Sequence, residues 1–287
     1  MFHFAILPCK LGRVHPILIQ LGPLTLRTYG LLIAIGFLAA CWLFRKRANR
    51  LGMDDAAATN LMILLLLSGI AGARVYYVAW HWNDIFARDP IAILKIYEGG
   101  IVFYGGFLAS CAVLYGWSRW KGIPFISLAD AAVPSLVLAH AFGRLGCFMG
   151  GCCYGSPCDH FWAVRLHAPP EIAGMAIHPT QLYEVAGLLN ILATLLVIER
   201  ISRYPGQVFF SYCILYSLMR FIVEFFRGDV PHNMWGHLTL AQVVCIALFI
   251  FAWLASARLS YLAGKARAKR IREEIRKMSA SNNPKAD

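Results

Sequence analysis

Apolar segments recur along this chain at about residues 22–44, 57–80, 101–118, 125–146, 180–198, 206–226 and 238–257. A helix of about 20 apolar residues crosses the ~30 Å hydrocarbon layer of a bilayer, so the pattern predicts an all-α polytopic membrane protein with seven transmembrane helices. Composition agrees. Only 15% of residues are charged, against about 25% in an ordinary soluble domain. The opening stretch MFHFAILPCKLGRVHP has neither the basic start nor the small-residue cleavage site of a secretory signal, so the first span is expected to be retained.

The formal net charge is +12, and its placement sets topology. Basic residues crowd RKRANR (45–50), SRWKG, ERISR and the tail from Arg258 onward, after spans one, three, five and seven. The positive-inside rule assigns those connections to the cytoplasm. This predicts an outward N-terminus, an inward C-terminus and an extracytoplasmic segment at about 147–179 between helices four and five. A transmembrane domain over 1–258 would precede a basic cytoplasmic tail, 259–287. The charge blocks flank spans, which speaks against nucleic acid as a partner and for membrane lipids as the partner of the tail.

Charged side chains inside spans are costly and point to function. With the topology above they collect at the outer ends: Tyr29 in span one, Arg74 in two, Tyr104 in three, Arg144 in four, His178, Gln181 and Glu184 at the start of five. Span six carries Tyr216, Arg220, Glu224 and Arg227, whose spacings of 4, 4 and 3 place them on one helix face. Arginine's planar, permanently charged fork suits phosphate, and its excess over carboxylate suggests an anionic ligand. Arg227 serves equally well as an interfacial anchor. Glu184 and Glu224 either neutralise the arginines or act in the chemistry. The glycines of EGGIVFYGG (98–106) and GRLGCFMGGCCYG (143–155) would admit a headgroup or a neighbouring helix.

The second glycine-rich stretch also holds Cys147, Cys152, Cys153 and, just beyond, Cys158. Their spacing is not that of a usual zinc site, although His160, His167 and His178 could complete one. In an oxidising compartment the favoured reading is a structural disulfide from Cys152 or Cys153 to Cys158.

LGPLTLRTYGLL, GGIVFYGG, GRLGCFMGGCCYG, HPTQLYE and LYSLMRFIVEFFRGD occur in that order. Together they give the chain a resemblance to the bacterial prolipoprotein diacylglyceryl transferases over nearly its whole length. The resemblance implies an inner-membrane enzyme with its active site on the extracytoplasmic side. Such an enzyme moves diacylglycerol from phosphatidylglycerol to the lipobox cysteine thiol of an exported preprolipoprotein, forming a thioether and releasing glycerol phosphate. It implies no metal or redox cofactor. Arg144 and Arg220 match the family's essential arginines, with Tyr104 and His178 as further catalytic candidates. Tyr29, Arg74, Gly105, Gly106, Gly155, Glu184, Tyr216 and Glu224 are the expected substrate-binding set. Two departures stand out: Tyr104 occupies the place of a usual histidine, and Cys147, Gly150 and Cys152 replace an Asn-x-x-Asn-x-Glu run. The competing classes are a lipid transferase with another acceptor, an anion transporter and a membrane thiol oxidoreductase. The inner halves of the spans lack the polar route a transporter needs, and the chain has no C-x-x-C.

Overall fold

The computed structural model describes residues 17–21, 24–95, 99–166, 172–230 and 238–281. The N-terminal stretch 1–16, Glu98, His167 and the last six residues lie outside this set. Seven long helices dominate: α1 (Thr28–Ala48), α2 (Asp55–Trp80), α3 (Phe103–Lys121), α4 (Phe125–Gly150), α5 (Thr180–Ile201), α6 (Gln207–Glu224) and α7 (Leu240–Ser281). All but α3 are long and apolar enough to cross a membrane. Their outer faces expose large apolar side chains such as Leu38 (67%), Val75 (67%) and Phe251 (63%), which suits lipid rather than water. The chain is an all-α polytopic membrane protein.

Two boundaries differ from the expectation. α1 begins at Thr28, because β1 (Ile17–Leu21) and β2 (Leu24–Arg27) form an antiparallel hairpin with a bulge between Ile17 and Ile19. A short apolar run rich in β-branched residues carries no period that separates strand from helix. At the other end, α7 does not stop at 257, where the predicted span ends. It is one 42-residue helix, about 63 Å long at 1.5 Å per residue and twice the hydrocarbon thickness. Alanine, lysine, arginine and glutamate after Arg258 are strong helix formers and continue it past the apolar part.

The helix ends are set locally. Asp54 caps α2 by accepting from the Ala57 N–H at 3.2 Å. Gly122, left-handed at φ 67°, closes α3 with its N–H on the Ser118 carbonyl. Thr239 and Gln242 form a reciprocal capping box at α7: the Thr239 N–H donates to Gln242 Oε1 at 2.9 Å, and the Gln242 N–H to Thr239 Oγ1 at 3.2 Å.

Two compact units result, residues 40–135 and residues 1–39 with 136–287. In the first, Phe44, Ala48, Met53, Ala58, Leu61, Trp117, Leu128 and Ala131 form a buried core. There α2 and α3 touch through small residues. A Cβ on Gly105 would strike the Gly72 carbonyl and Tyr76 Cβ, one on Gly72 would strike Ala109, and one on Gly106 would lie 2.7 Å from the Gly69 oxygen. Gly105 and Gly106, expected to bind substrate, serve this helix contact, the usual device where lipid offers no hydrophobic drive. In the second unit α5, α6 and α7 pack in sequence, with Leu188, Ile191, Leu195, Val208 and Cys213 buried.

Gly105→Leu should therefore lower stability in detergent by about 1–3 kcal/mol through overpacking. Gly116→Ala, where an added Cβ meets nothing within 4 Å, should be neutral or gain up to about 1 kcal/mol from helix propensity. Thermal unfolding of the two variants in one detergent checks the contrast.

Candidate active site

The cysteine turn and the ionic cluster described first belong to the unit of residues 1–39 and 136–287. α4 ends in a double-bonded reverse turn: Gly151, left-handed at φ 73°, sends its N–H to the Phe148 carbonyl at 3.3 Å, and Cys152 N–H reaches the Cys147 carbonyl at 3.2 Å. This Schellman closure folds residue 152 back over residue 147. Cys153 follows, also left-handed at φ 61°, a conformation uncommon outside glycine. As a result the sulfurs of Cys147, Cys152 and Cys153 lie within 4.8 Å of one another.

The turn is held from α5, where Thr180 Oγ1 donates to the Cys153 carbonyl at 2.9 Å and Gln181 Nε2 to that of Cys152 at 2.7 Å. Residues 154–158 then thread between the approach to α5 and the exit from α6. Gly155 N–H donates to the His178 carbonyl at 3.1 Å, Ser156 N–H to Phe226 at 2.8 Å, Cys158 N–H to Ala176 at 2.9 Å, and Gly228 N–H to Tyr154 at 3.1 Å. A Cβ on Gly155 would run into His178 and the Phe226 oxygen. Gly155 thus admits close approach of neighbouring backbone. The expected disulfide is absent: Cys152, Cys153 and Cys158 are free thiols. Cys158 is buried with its N–H on the strand β4 (Ala176–Ile177), and it does not join the three-sulfur group.

Beneath this turn lies a buried ionic cluster. Arg144 Nε on α4 faces Glu184 Oε2 on α5 at 2.9 Å and the His140 ring, one helical turn earlier, at 3.3 Å. On α6, Arg220 Nη1 meets Glu224 Oε2 at 2.5 Å. The other Glu224 oxygen accepts from the Thr239 hydroxyl at 2.8 Å, so the α7 cap also anchors a site carboxylate. Tyr216 sits one turn before Arg220, its ring 5.6 Å from that of His140. His140, Glu184 and Tyr216 each lie within electrostatic reach of both Arg144 and Arg220. The two arginines therefore share neighbours and do not point apart into lipid. Tyr29 of α1 is within reach of Arg144 and the three thiols, and its ring lies against Gly146, where a Cβ would sit 2.8 Å from it.

The arginines are not in excess within this cluster. Glu184 and Glu224 each pair with one, and Arg227 is clasped by both Asp229 oxygens at 2.8 and 2.7 Å. Yet a guanidinium has five N–H donors. Among the described residues, the Arg144 guanidinium donates one hydrogen bond, from Nε to His140, and Arg220 Nη1 is ion-paired with Glu224 without a hydrogen bond. The remaining donors suit a phosphate. Carboxylates that neutralise buried arginines and leave their forks open hold the charge in place at a tolerable desolvation cost.

Other expected site residues go elsewhere. Arg74, in the other unit, spends all five donors on backbone: Nε on Ile93, Nη1 on Gly99 and Gly100, Nη2 on Ala92 and Lys95. It organises the loop between α2 and α3 and has no donor left for substrate. Tyr104, also in that unit, opens α3 with its side chain 60% exposed. His178 stands in an aromatic cluster with His160, Tyr183 and Phe226. Trp162 Nε1–H donates to the Tyr183 hydroxyl at 2.8 Å, and that hydroxyl lies 3.0 Å from His178 Nδ1. This hub lines a cleft of about 660 Å³. Reasoning from the sequence missed His140 and Thr239. The signal for His140 was its i,i+4 spacing from Arg144; for Thr239 it was the Thr-x-x-Gln box.

Apolar helices that enclose two carboxylate-paired arginines define this as a membrane protein with an ionic site among its helices. The family model for prolipoprotein diacylglyceryl transferase matches residues 16–258. Phosphatidylglycerol–prolipoprotein diacylglyceryl transferases of Lysinibacillus sphaericus and Bacillus velezensis are 34% and 33% identical over 242 and 245 residues, covering 82% and 83% of this chain and 88% and 90% of the relatives. That of Listeria welshimeri is 36% identical over 247 residues, 83% of this chain and 87% of the relative. The chain belongs to the prolipoprotein diacylglyceryl transferase family.

Burial, with His160 as the lesser cause, holds His178 below the ordinary histidine pKa. The unfolded chain then takes up the proton first as pH falls below about 6.5, so stability is lost on the acid side. His178→Phe should show a smaller drop in Tm between pH 7 and pH 5 than the wild type, read from melting curves in matched buffers.

Proposed function

We propose that the chain transfers the diacylglyceryl group of phosphatidylglycerol to the lipobox cysteine thiol of an exported preprolipoprotein, forming a thioether and releasing glycerol phosphate. The observation that carries this reading is the pair of arginines, Arg144 and Arg220, drawn from different helices around His140, Glu184 and Tyr216. The relatives named above are, by name, phosphatidylglycerol–prolipoprotein diacylglyceryl transferases, which supports this reading.

In the reaction a thiolate displaces phosphate at a glycerol carbon. Negative charge grows on the departing phosphate ester, and donors fixed in a low-dielectric site stabilise it without reorganising. Arg144 presents its two Nη groups to that phosphate while Glu184 holds Nε. Arg220 does the same from α6 with its free edge, Glu224 and Thr239 fixing the other. Tyr29 and Tyr216 complete the polar wall. The diacyl tails lie along the apolar helix faces. An apolar groove of about 180 Å³ lined by Leu218, Phe221, Ile246 and Phe249 of α6 and α7 flanks Arg220 in sequence and offers a place for one chain. Arg74 acts through the loop it holds and touches no substrate. By the positive-inside rule the basic connection at 200–203, at the far end of α5 from Glu184, faces the cytoplasm; this supports an extracytoplasmic cluster, on the side where exported acceptors arrive.

Purified protein supplied with phosphatidylglycerol and a lipobox-cysteine peptide should release glycerol phosphate. Arg144→Ala and Arg220→Ala should each reduce turnover by about 10²–10³-fold. His178→Phe should retain most of it. Full activity in either arginine variant, with the fold intact by melting, would refute the assignment.

A further inference from the structure

The geometry points to a second component of this site: we propose that Cys147, Cys152 and Cys153 bind one thiophilic cation, Zn²⁺, as three thiolates, and that its open fourth position takes the acceptor thiol. The metal-binding half stands on geometry alone. The catalytic half rests on the transferase reading.

Zn²⁺ bonds thiolate sulfur at about 2.3 Å, which sets tetrahedral ligands about 3.8 Å apart. The three sulfurs here all fall within 4.8 Å of one another, so closing on a cation needs a movement of about 1 Å or less, small beside what side-chain rotation allows. Their carriers are already fixed. The Schellman turn brings Cys152 over Cys147, and Thr180 and Gln181 hold the carbonyls of Cys152 and Cys153 from α5. Cys153 is left-handed at φ 61°, a backbone cost for a residue other than glycine. Among the described residues no fourth histidine, cysteine or carboxylate joins the group. Three protein ligands with a vacant position is the pattern of catalytic rather than structural zinc. Cys152 is exposed, giving the cation and a substrate access. Three thiolates around Zn²⁺ carry a net single negative charge, and Arg144 and Arg227 lie within electrostatic reach of Cys153 to offset it.

The chemistry then has a source for its nucleophile. A thiol that coordinates Zn²⁺ gives up its proton to water. The bound sulfur attacks the glycerol carbon, a C–S bond forms, and the C–O bond to phosphate breaks. Its electron pair departs on glycerol phosphate, which Arg144 receives. No electrons are exchanged with the metal. The thioether product is a weaker ligand than a thiolate and leaves the position to the next acceptor.

The test uses full-length protein purified in detergent without chelators. Wild type should hold about one Zn²⁺ per chain by mass spectrometry of metals, with three sulfur neighbours by X-ray absorption. The Co²⁺-substituted protein should show sulfur-to-cobalt charge transfer. A cysteine peptide should raise the sulfur count to four, whereas its serine counterpart should not. Cys152→Ser and Cys153→Ser should weaken Zn²⁺ binding by about tenfold or more, and Cys158→Ser and Cys213→Ser should leave it unchanged. Protein lacking Zn²⁺ under reducing conditions, or a disulfide among the three cysteines in the active enzyme, would overturn the site. If metal-free protein releases glycerol phosphate at the full rate, the catalytic half fails while the transferase reading stands. If Zn²⁺ binds and the cysteine peptide joins it but no glycerol phosphate appears, the transferase reading fails and the metal site stands.

Discussion

Two guanidinium groups held inside a membrane protein by carboxylates are the constraint on which the site depends. An unpaired arginine at that depth would be expelled toward the interface or would pull water in. Glu184 and Glu224 prevent this, each from a defined place: Glu184 from the first turns of α5, Glu224 from the end of α6 with the Thr239 hydroxyl on its other oxygen. The pairs are asymmetric. Among the described residues each carboxylate is paired with one nitrogen of its arginine, so neutralisation and ligand binding need not compete for the same donors. Removing one partner of such a pair typically costs about 3–5 kcal/mol. The helices that carry them are therefore fixed by the same contacts that prepare the site.

The neighbouring cysteine turn follows the same economy of construction. A helix terminus must satisfy its last carbonyls. Here the Schellman bonds do so, and in doing so they stack Cys152 over Cys147. Residues 154–158 pair with backbone from both the approach to α5 and the exit of α6, so the segment that follows the three thiols ties together the helices that carry the arginines and carboxylates. Close backbone approach explains why Gly155 tolerates no side chain. In the other unit a similar demand for close approach, between α2 and α3, accounts for Gly72, Gly105 and Gly106.

Much of this was legible in the sequence because membrane spans announce themselves by length and hydropathy, and the helices fall close to where those signals put them. Arg144, Glu184, Tyr216, Arg220 and Glu224 could be brought together from their spacing and the alternation of basic loops. What failed was whatever depends on backbone turns and donor counts. The spacing between Cys147 and Cys152 looks wrong for a shared site until the αL residue Gly151 shortens it. Arg74 reads as a ligand-binding residue until its five donors are followed to carbonyls 18 to 26 residues away. The hairpin at 17–27 looks like the start of a span because alternation and continuous apolarity merge over so few residues. His140 was hidden by being a single histidine in an apolar run.

The central claim is that Arg144 and Arg220 grip one phosphate together. A double-mutant cycle on phosphatidylglycerol affinity, measured with Arg144→Ala, Arg220→Ala and the double variant in lipid nanodiscs, addresses it directly. Residues acting on a shared ligand should show a coupling free energy of about 0.5–3 kcal/mol, with the double variant binding little worse than either single one. Losses that add within about 0.5 kcal/mol would mean that the two arginines hold separate groups, and the account would be wrong.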